Sequence, residues 1–262
     1  MNISTNIIEG KKTFFLYPHI PQGKHIIKYL IKNEYEAYPL NNHLSAINLF
    51  DEFSNSILYV NIDFKLNHHD WMLYIESILE NPTTDTIIAG VITTNGNDEF
   101  LQTDLSNLNI PGGYICIDNG LDKCTNSIIN ILNSQNARGR RKYLRVKCKN
   151  IYKALFSIKL GKDLFQGRVV DISSAGMLCM FNHNIELSSG IYLNDILLNL
   201  KGYISKVAGQ IAGERKIDGN DLYVIMFDYR KTYKERDKIH DFIYNILEQQ
   251  MSAKIKEIEI SV

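Results

Sequence analysis

Hydrophobic positions in the first half of the chain fall into short unbroken runs at residues 13–17, 56–62, 86–92 and 113–117. Each run is rich in β-branched and aromatic residues and too short for a helix. Their near-continuous apolarity predicts strands covered on both faces. Residues 36–40 (Glu-Ala-Tyr-Pro-Leu) give a weaker fifth strand, and Pro39 places it at a sheet edge, because proline removes a ladder hydrogen bond. Between the runs the apolar period changes to that of a helix. Ile26, Ile27, Leu30 and Ile31 share one face, as do Leu44, Ile47, Leu49 and Phe50. So do Trp71, Tyr74, Ile75, Ile78 and Leu79, and Ile128, Ile129 and Leu132. A further helix between Asn97 and Leu108 completes five strand–helix units. The prediction is an open, doubly wound parallel sheet in the order 2-1-3-4-5.

The second half alternates with a period of two. Extended segments are predicted at 152–160, 164–173, 177–181, 190–193, 195–207 and 222–229, with turns at Gly161-Lys162-Asp163 and at residues 216–220. After Arg230 a helical stripe appears at Ile239, Phe242, Ile243, Ile246, Leu247 and Met251. It reads either as a lid on the β structure or, with its charged continuation at 254–259, as a partner helix.

Charge separates the same two halves. The chain of 262 residues has a formal net charge of +0. Residues 1–136 hold 7 Lys+Arg against 15 Asp+Glu, and residues 137–262 hold 22 against 14, so nets of −8 and +8 cancel. Two physically different units are joined, with the boundary in the polar stretch Asn133-Ser134-Gln135-Asn136-Ala137. The expected domains are 1–136 and 137–262. A composition of 45% hydrophobic and 22% charged residues excludes wholesale disorder. No apolar run reaches the ~18 residues of a membrane span, and the start lacks a basic leader, so a cytoplasmic protein is expected. The four cysteines (Cys116, Cys124, Cys148, Cys179) show no CxxC spacing, which argues against a zinc site or a disulfide framework. His68-His69-Asp70 is no metal site either, since adjacent helical residues do not share a face, and Asp70 is expected to cap the helix of Trp71.

In size and order the acidic half resembles a response-regulator receiver domain. That resemblance implies two acidic residues after the first strand, where Tyr17-Pro18-His19 stands, and a lysine after the fifth, where the chain reads Ile117-Asp118-Asn119. Asp63 occupies the phosphoacceptor position, and Thr93 or Thr94 that of the switch hydroxyl. Without magnesium ligands the phosphoryl chemistry has no support, so a degenerate receiver that works by contact with a protein partner is expected, with Asp63 a loop or capping residue.

The basic half carries Arg138, Arg140, Arg141, Lys142, Arg145, Lys147, Lys149 and Lys153 with no acid among them. By itself this is a solvated face or a phosphate patch for nucleic acid. Two motifs change that reading. Arg141 and Arg145 form an Arg-x-x-x-Arg pair whose planar donor forks suit phosphate oxygens and the O6/N7 edge of guanine. Asp171-Ile172-Ser173-Ser174-Ala175-Gly176 closes a strand, and Asp171 is an acceptor for the guanine N1–H and N2–H₂ edge. In this pairing the sequence is similar to the PilZ family, bacterial receptor modules for cyclic di-GMP. The resemblance implies a six-stranded β-barrel with a C-terminal helix, an arginine arm that folds over the ligand, and a ligand site of Arg140, Arg141, Arg145, Asp171, Ser173 and Gly176. Arg140, preceding the pair, implies two intercalated ligand molecules per site. No nucleophile–base pair, acid dyad, metal cluster or cofactor motif stands out, so a non-enzymatic effector is expected. In it, ligand binding rearranges the two domains to control motility, surface polysaccharide or virulence. The alternative is a nucleic-acid-binding regulator using residues 138–153.

Overall fold

The computed structural model describes all residues except 1–9, 19–20, 85, 97–107, 109, 150–152, 231 and 262. By mutual contacts the chain divides into two units, Met1–Lys142 with Glu248–Val262, and Tyr143–Leu247.

In the first unit the apolar runs become β1 (Thr13–Leu16), β3 (Ile57–Asn61) and β4 (Ile88–Thr93), which are buried at every position. β2 (Ala37–Leu40) and β5 (Tyr114–Cys116) complete a five-stranded parallel sheet in the order β2-β1-β3-β4-β5. Pro39 lies on the edge strand, where its missing N–H costs no central ladder bond. Four helices, α1 (Pro21–Lys32), α2 (His43–Glu52), α3 (His68–Glu80) and α4 (Leu121–Ser134), carry the four apolar stripes. Ile26, Ile27, Leu49, Phe50, Trp71, Ile75, Ile128 and Leu132 are fully buried. The helix expected between Asn97 and Leu108 falls, but for Leu108 itself, outside the described residues. The cap of α3 differs from expectation. Asn67, not Asp70, caps it, because the helix starts at His68 and Asn67 Oδ1 accepts from Asp70 N at 2.9 Å. Asp70 sits in the first turn, where its charge suits the positive end of the helix.

The second unit contains β6 (Arg145–Lys147), β7 (Ala154–Leu160), β8 (Asp163–Ser173), β9 (Gly176–Phe181), β10 (Tyr192–Leu200), β11 (Tyr203–Ile217) and β12 (Asn220–Asp228). Six of them close a barrel in the order β8-β7-β10-β11-β12-β9, with β9 returning to β8. Phe156, Phe181 and Tyr223 stack edge-to-face inside it, with ring centroids 5.0 and 5.4 Å apart. The segments expected at 190–193 and 195–207 are redrawn. β10 runs through a bulge between Leu193 and Ile196, then reverses at Lys201-Gly202 into the 15-residue β11. Both turn residues have positive φ, +55° and +93°, the two-residue hairpin geometry that the twist of the flanking strands favours. The turn at Asp218-Gly219 has the same character, at +51° and +78°. The stripe of α5 (Glu235–Ser261) is buried from Ile239 to Met251.

Gly167 lets β8 approach β9. A Cβ there would lie 2.2 Å from Met180 O and 2.5 Å from the Phe156 ring, and the backbone oxygen cannot swing away. Gly167→Ala is therefore expected to destabilise the barrel by ~1–3 kcal/mol, seen as a lower calorimetric unfolding temperature. An unchanged transition would refute the close β8–β9 approach at this residue.

Candidate functional site

The site is built on the last three residues of β8. β7 pairs with β8 only as far as Arg168, and β6 takes the same edge beyond it, with Arg145 opposite Ser173, Val146 opposite Ile172 and Lys147 opposite Asp171. Val146 and Ile172 are buried, at 2% and 0% exposure. Strand alternation then turns Arg145, Lys147 and Asp171 to the outer face of the barrel. There Arg145 Nη1 lies 3.6 Å from Asp171 Oδ1. Cys148 N continues the pairing by donating to Val170 O at 2.8 Å. Burial, and secondarily the Asp171 carboxylate, push the Cys148 thiol up to about 12, so it is neutral at physiological pH and adds no charge here.

Ser174-Ala175 is a two-residue turn from β8 into β9, with Ser173 paired to Gly176. Ser173 Oγ donates to Gly176 O at 3.2 Å and accepts from Ala175 N at 3.3 Å. Three further groups hold the turn. Tyr229 Oη donates to Ser174 O at 2.7 Å, Phe227 N donates to Ala175 O at 2.9 Å, and Arg236 Nη2, on α5, donates to Ser174 Oγ at 3.4 Å. A Cβ on Gly176 would meet Ile225 O at 2.4 Å, so glycine is set there by close packing against β12. Ser173 and Gly176 thus fix the shape of the turn, and Asp171 is the group presented outward.

The structure brings Arg145, Asp171, Ser173 and Gly176 together. Arg140 and Arg141 are exposed, on the irregular segment that leads into β6, and belong by contacts to the first unit. Sequence reasoning missed Lys147 as the register partner of Asp171, although the exposed–buried–exposed alternation of Arg145, Val146 and Lys147 carried the signal. It also missed Tyr229 and Arg236, whose distance along the chain hides their role.

In the first unit, both oxygens of Asp63 are occupied. Oδ1 accepts from Thr93 Oγ1 at 2.5 Å, and Oδ2 accepts from Thr94 N at 2.6 Å and Thr94 Oγ1 at 2.8 Å. At the end of β1, where the receiver resemblance implies metal-binding acids, stands the buried Tyr17 with φ +54°. Its ring packs on Phe64 and Trp71, with centroids at 5.4 and 5.9 Å, and its hydroxyl lies 2.8 Å from His43 Nδ1. Burial, then the nearby Lys65, hold His43 below its ordinary value, toward the neutral ring. Magnesium does not fit an aromatic donor set of this kind. Among the described residues no group of three His, Cys, Asp or Glu side chains is arranged to hold a metal ion, and no helix is long and apolar enough to cross a membrane.

Fold and site together define a receiver-like α/β sheet followed by a β-barrel with an arginine–aspartate face. No protein-family model matches the chain, and no curated protein matches its sequence. Solved structures do match. One is the PilZ domain of YcgR from Escherichia coli with c-di-GMP, at 21% identity and a TM-score of 0.37, over 45% of this chain and 98% of that one. The K. pneumonia MrkH–c-di-GMP complex matches at 16% identity and a TM-score of 0.39, over 45% and 54%. The Mn(2+)-bound response regulator Rcp1 matches at 16% and 0.39, over 48% and 94%. The match to the longer YcgR chain spans 50% of its length.

Because the Asp63 carboxylate is engaged by three donors and no metal-holding group of three His, Cys, Asp or Glu stands among the described residues, acetyl phosphate with magnesium is expected to leave the chain unlabelled in intact-mass spectra. A gain of one phosphoryl mass that Asp63→Asn removes would make the first unit a working receiver.

Proposed function

We propose that this chain is a non-enzymatic receptor for cyclic di-GMP, with its binding half at residues 137–262. The observation that carries the reading is the pairing of Arg145 and Asp171 on one outer face, at the foot of a turn fixed by Ser173 and Gly176. A guanine presents donors at N1 and N2 and acceptors at O6 and N7. A carboxylate and a guanidinium set side by side match both sets at once. Arg141 supplies a second fork for a phosphodiester, and Arg140 a flat cation on which a second, intercalated ligand stacks. Ligand capture by the segment that joins the halves rearranges the two units, and the first unit passes this to a protein partner. Its surfaces are what remain to it once metal-assisted phosphoryl transfer is removed.

MrkH, described as a c-di-GMP-dependent transcription regulatory factor, keeps a nucleic-acid output open as a second reading. The basic run 138–153 favours it. A phosphate patch binds polymer with a steep salt dependence and no fixed ratio, whereas a receptor binds the dinucleotide with fixed stoichiometry.

Isothermal titration with cyclic di-GMP is expected to give a dissociation constant of about 1 μM or tighter, roughly −8 kcal/mol. Two ligands per chain are expected for the wild type and one for Arg140→Leu. Arg141→Ala and Arg145→Ala should each weaken binding by at least tenfold and leave the unfolding temperature within a few degrees, as for exposed side chains. No heat at tens of micromolar ligand would refute the receptor reading. Unchanged affinity in both arginine variants would place the ligand elsewhere.

A further inference from the structure

On the fixed strands β6 and β8, the charges of Arg145 and Asp171 cancel. They lie 3.6 Å apart, and an anion approaching that pair alone meets no net attraction. The remaining cation of β6 is Lys147. It stands directly opposite Asp171 in the register, two residues from Arg145 on the same exposed side, with Val146 between them turned into the core. Directly opposed residues of an antiparallel pair have Cβ atoms ~5 Å apart, and a lysine stem reaches roughly 6 Å beyond its own Cβ. The Lys147 ammonium is therefore within reach of the space beside the Asp171 carboxylate.

We propose that Lys147 is a further ligand contact of the site, a cation on the exposed side of β6 that adds positive charge to the barrel-side wall and engages a ligand phosphodiester. This rests on the receptor reading above. Asp171 then recognises the guanine edge, and Lys147 offsets the repulsion that the same carboxylate exerts on a dianionic ligand. The arginines before β6 contribute when that segment closes. Lys147 acts without it, because its position is set by strand register.

The test compares Lys147→Met, Lys147→Arg and the control Lys159→Met, an exposed lysine of β7, by titration of the full chain with cyclic di-GMP at low and high potassium chloride. Lys147→Met should weaken binding about five- to tenfold at low salt and flatten the dependence of affinity on salt by about one charge. Lys147→Arg should retain both, and Lys159→Met should match the wild type. If the wild type binds and Lys147→Met shows the same affinity and salt dependence, the role of Lys147 is overturned and the receptor reading stands. A loss of affinity with unchanged salt dependence, not restored by Lys147→Arg, would equally overturn it, since β6 pairing and not charge would be at fault. If the wild type itself fails to bind, both readings fall.

Discussion

Three residues of antiparallel pairing, Arg145–Lys147 against Asp171–Ser173, are what the candidate site depends on. β8 is 11 residues long, and β7 uses its edge only from Asp163 to Arg168. The open remainder would expose unpaired backbone groups beside the turn, and β6 satisfies them. The apolar anchor of so short a strand is Val146, buried opposite Ile172. A slip of one residue would turn the Arg145 guanidinium into the barrel and Val146 out to water. Burying an unpaired guanidinium costs several kcal/mol in practice, far more than a surface valine. The core thus selects the register, and the register decides which charges face outward.

The turn next to this pairing is fixed from several directions before any ligand arrives. Its carbonyls are taken by Tyr229 and by the backbone of Phe227, and its Ser174 hydroxyl by Arg236 from α5. A turn held in this way has little conformational freedom left to lose. Its hydrogen bonds join it to the end of β12 and the start of α5 within the same unit. The Tyr192–Asp228–Arg230 cluster near the end of β12 is a different matter. Asp228 accepts from Tyr192 Oη at 2.9 Å and from Arg230 Nε at 3.0 Å, and these hydrogen bonds keep its carboxyl well below the usual range. Its acceptors are already satisfied.

Legibility in the sequence followed the strength of the local signal. Unbroken apolar runs named the parallel strands and their order, because a strand buried on both faces has no competing periodicity. The hairpin at Lys201-Gly202 was lost because Leu197, Tyr203 and Ile204 are apolar in sequence yet exposed in the structure, so apolarity runs past a turn at which burial stops, at Leu200, and resumes only at Ser205. Asp70 was chosen as a cap over Asn67 because composition does not reveal where a helix starts within one turn. In the site, Asp171 and Arg145 were legible as a motif. Lys147 was not, since its role comes from the residue across the strand pair. Gly176 was legible as a position and not as a cause, because the oxygen that excludes its Cβ belongs to Ile225, far along the chain.

The first unit shows how a fold persists after its chemistry is removed. Parallel sheets gather polar groups where the strands end, and Asp63 still ends β3 there with hydroxyls at Thr93 and Thr94. In a working receiver those oxygens are shared with a metal ion. Here hydroxyl and amide donors engage both carboxylate oxygens, and at the end of β1 the Tyr17 ring packs on Phe64 and Trp71. These ring contacts help offset the cost of holding Tyr17 in the left-handed region, on the order of 1–3 kcal/mol. In the basic half, by contrast, a carboxylate and a guanidinium stand side by side, Asp171 and Arg145 3.6 Å apart on strands whose register the core selects.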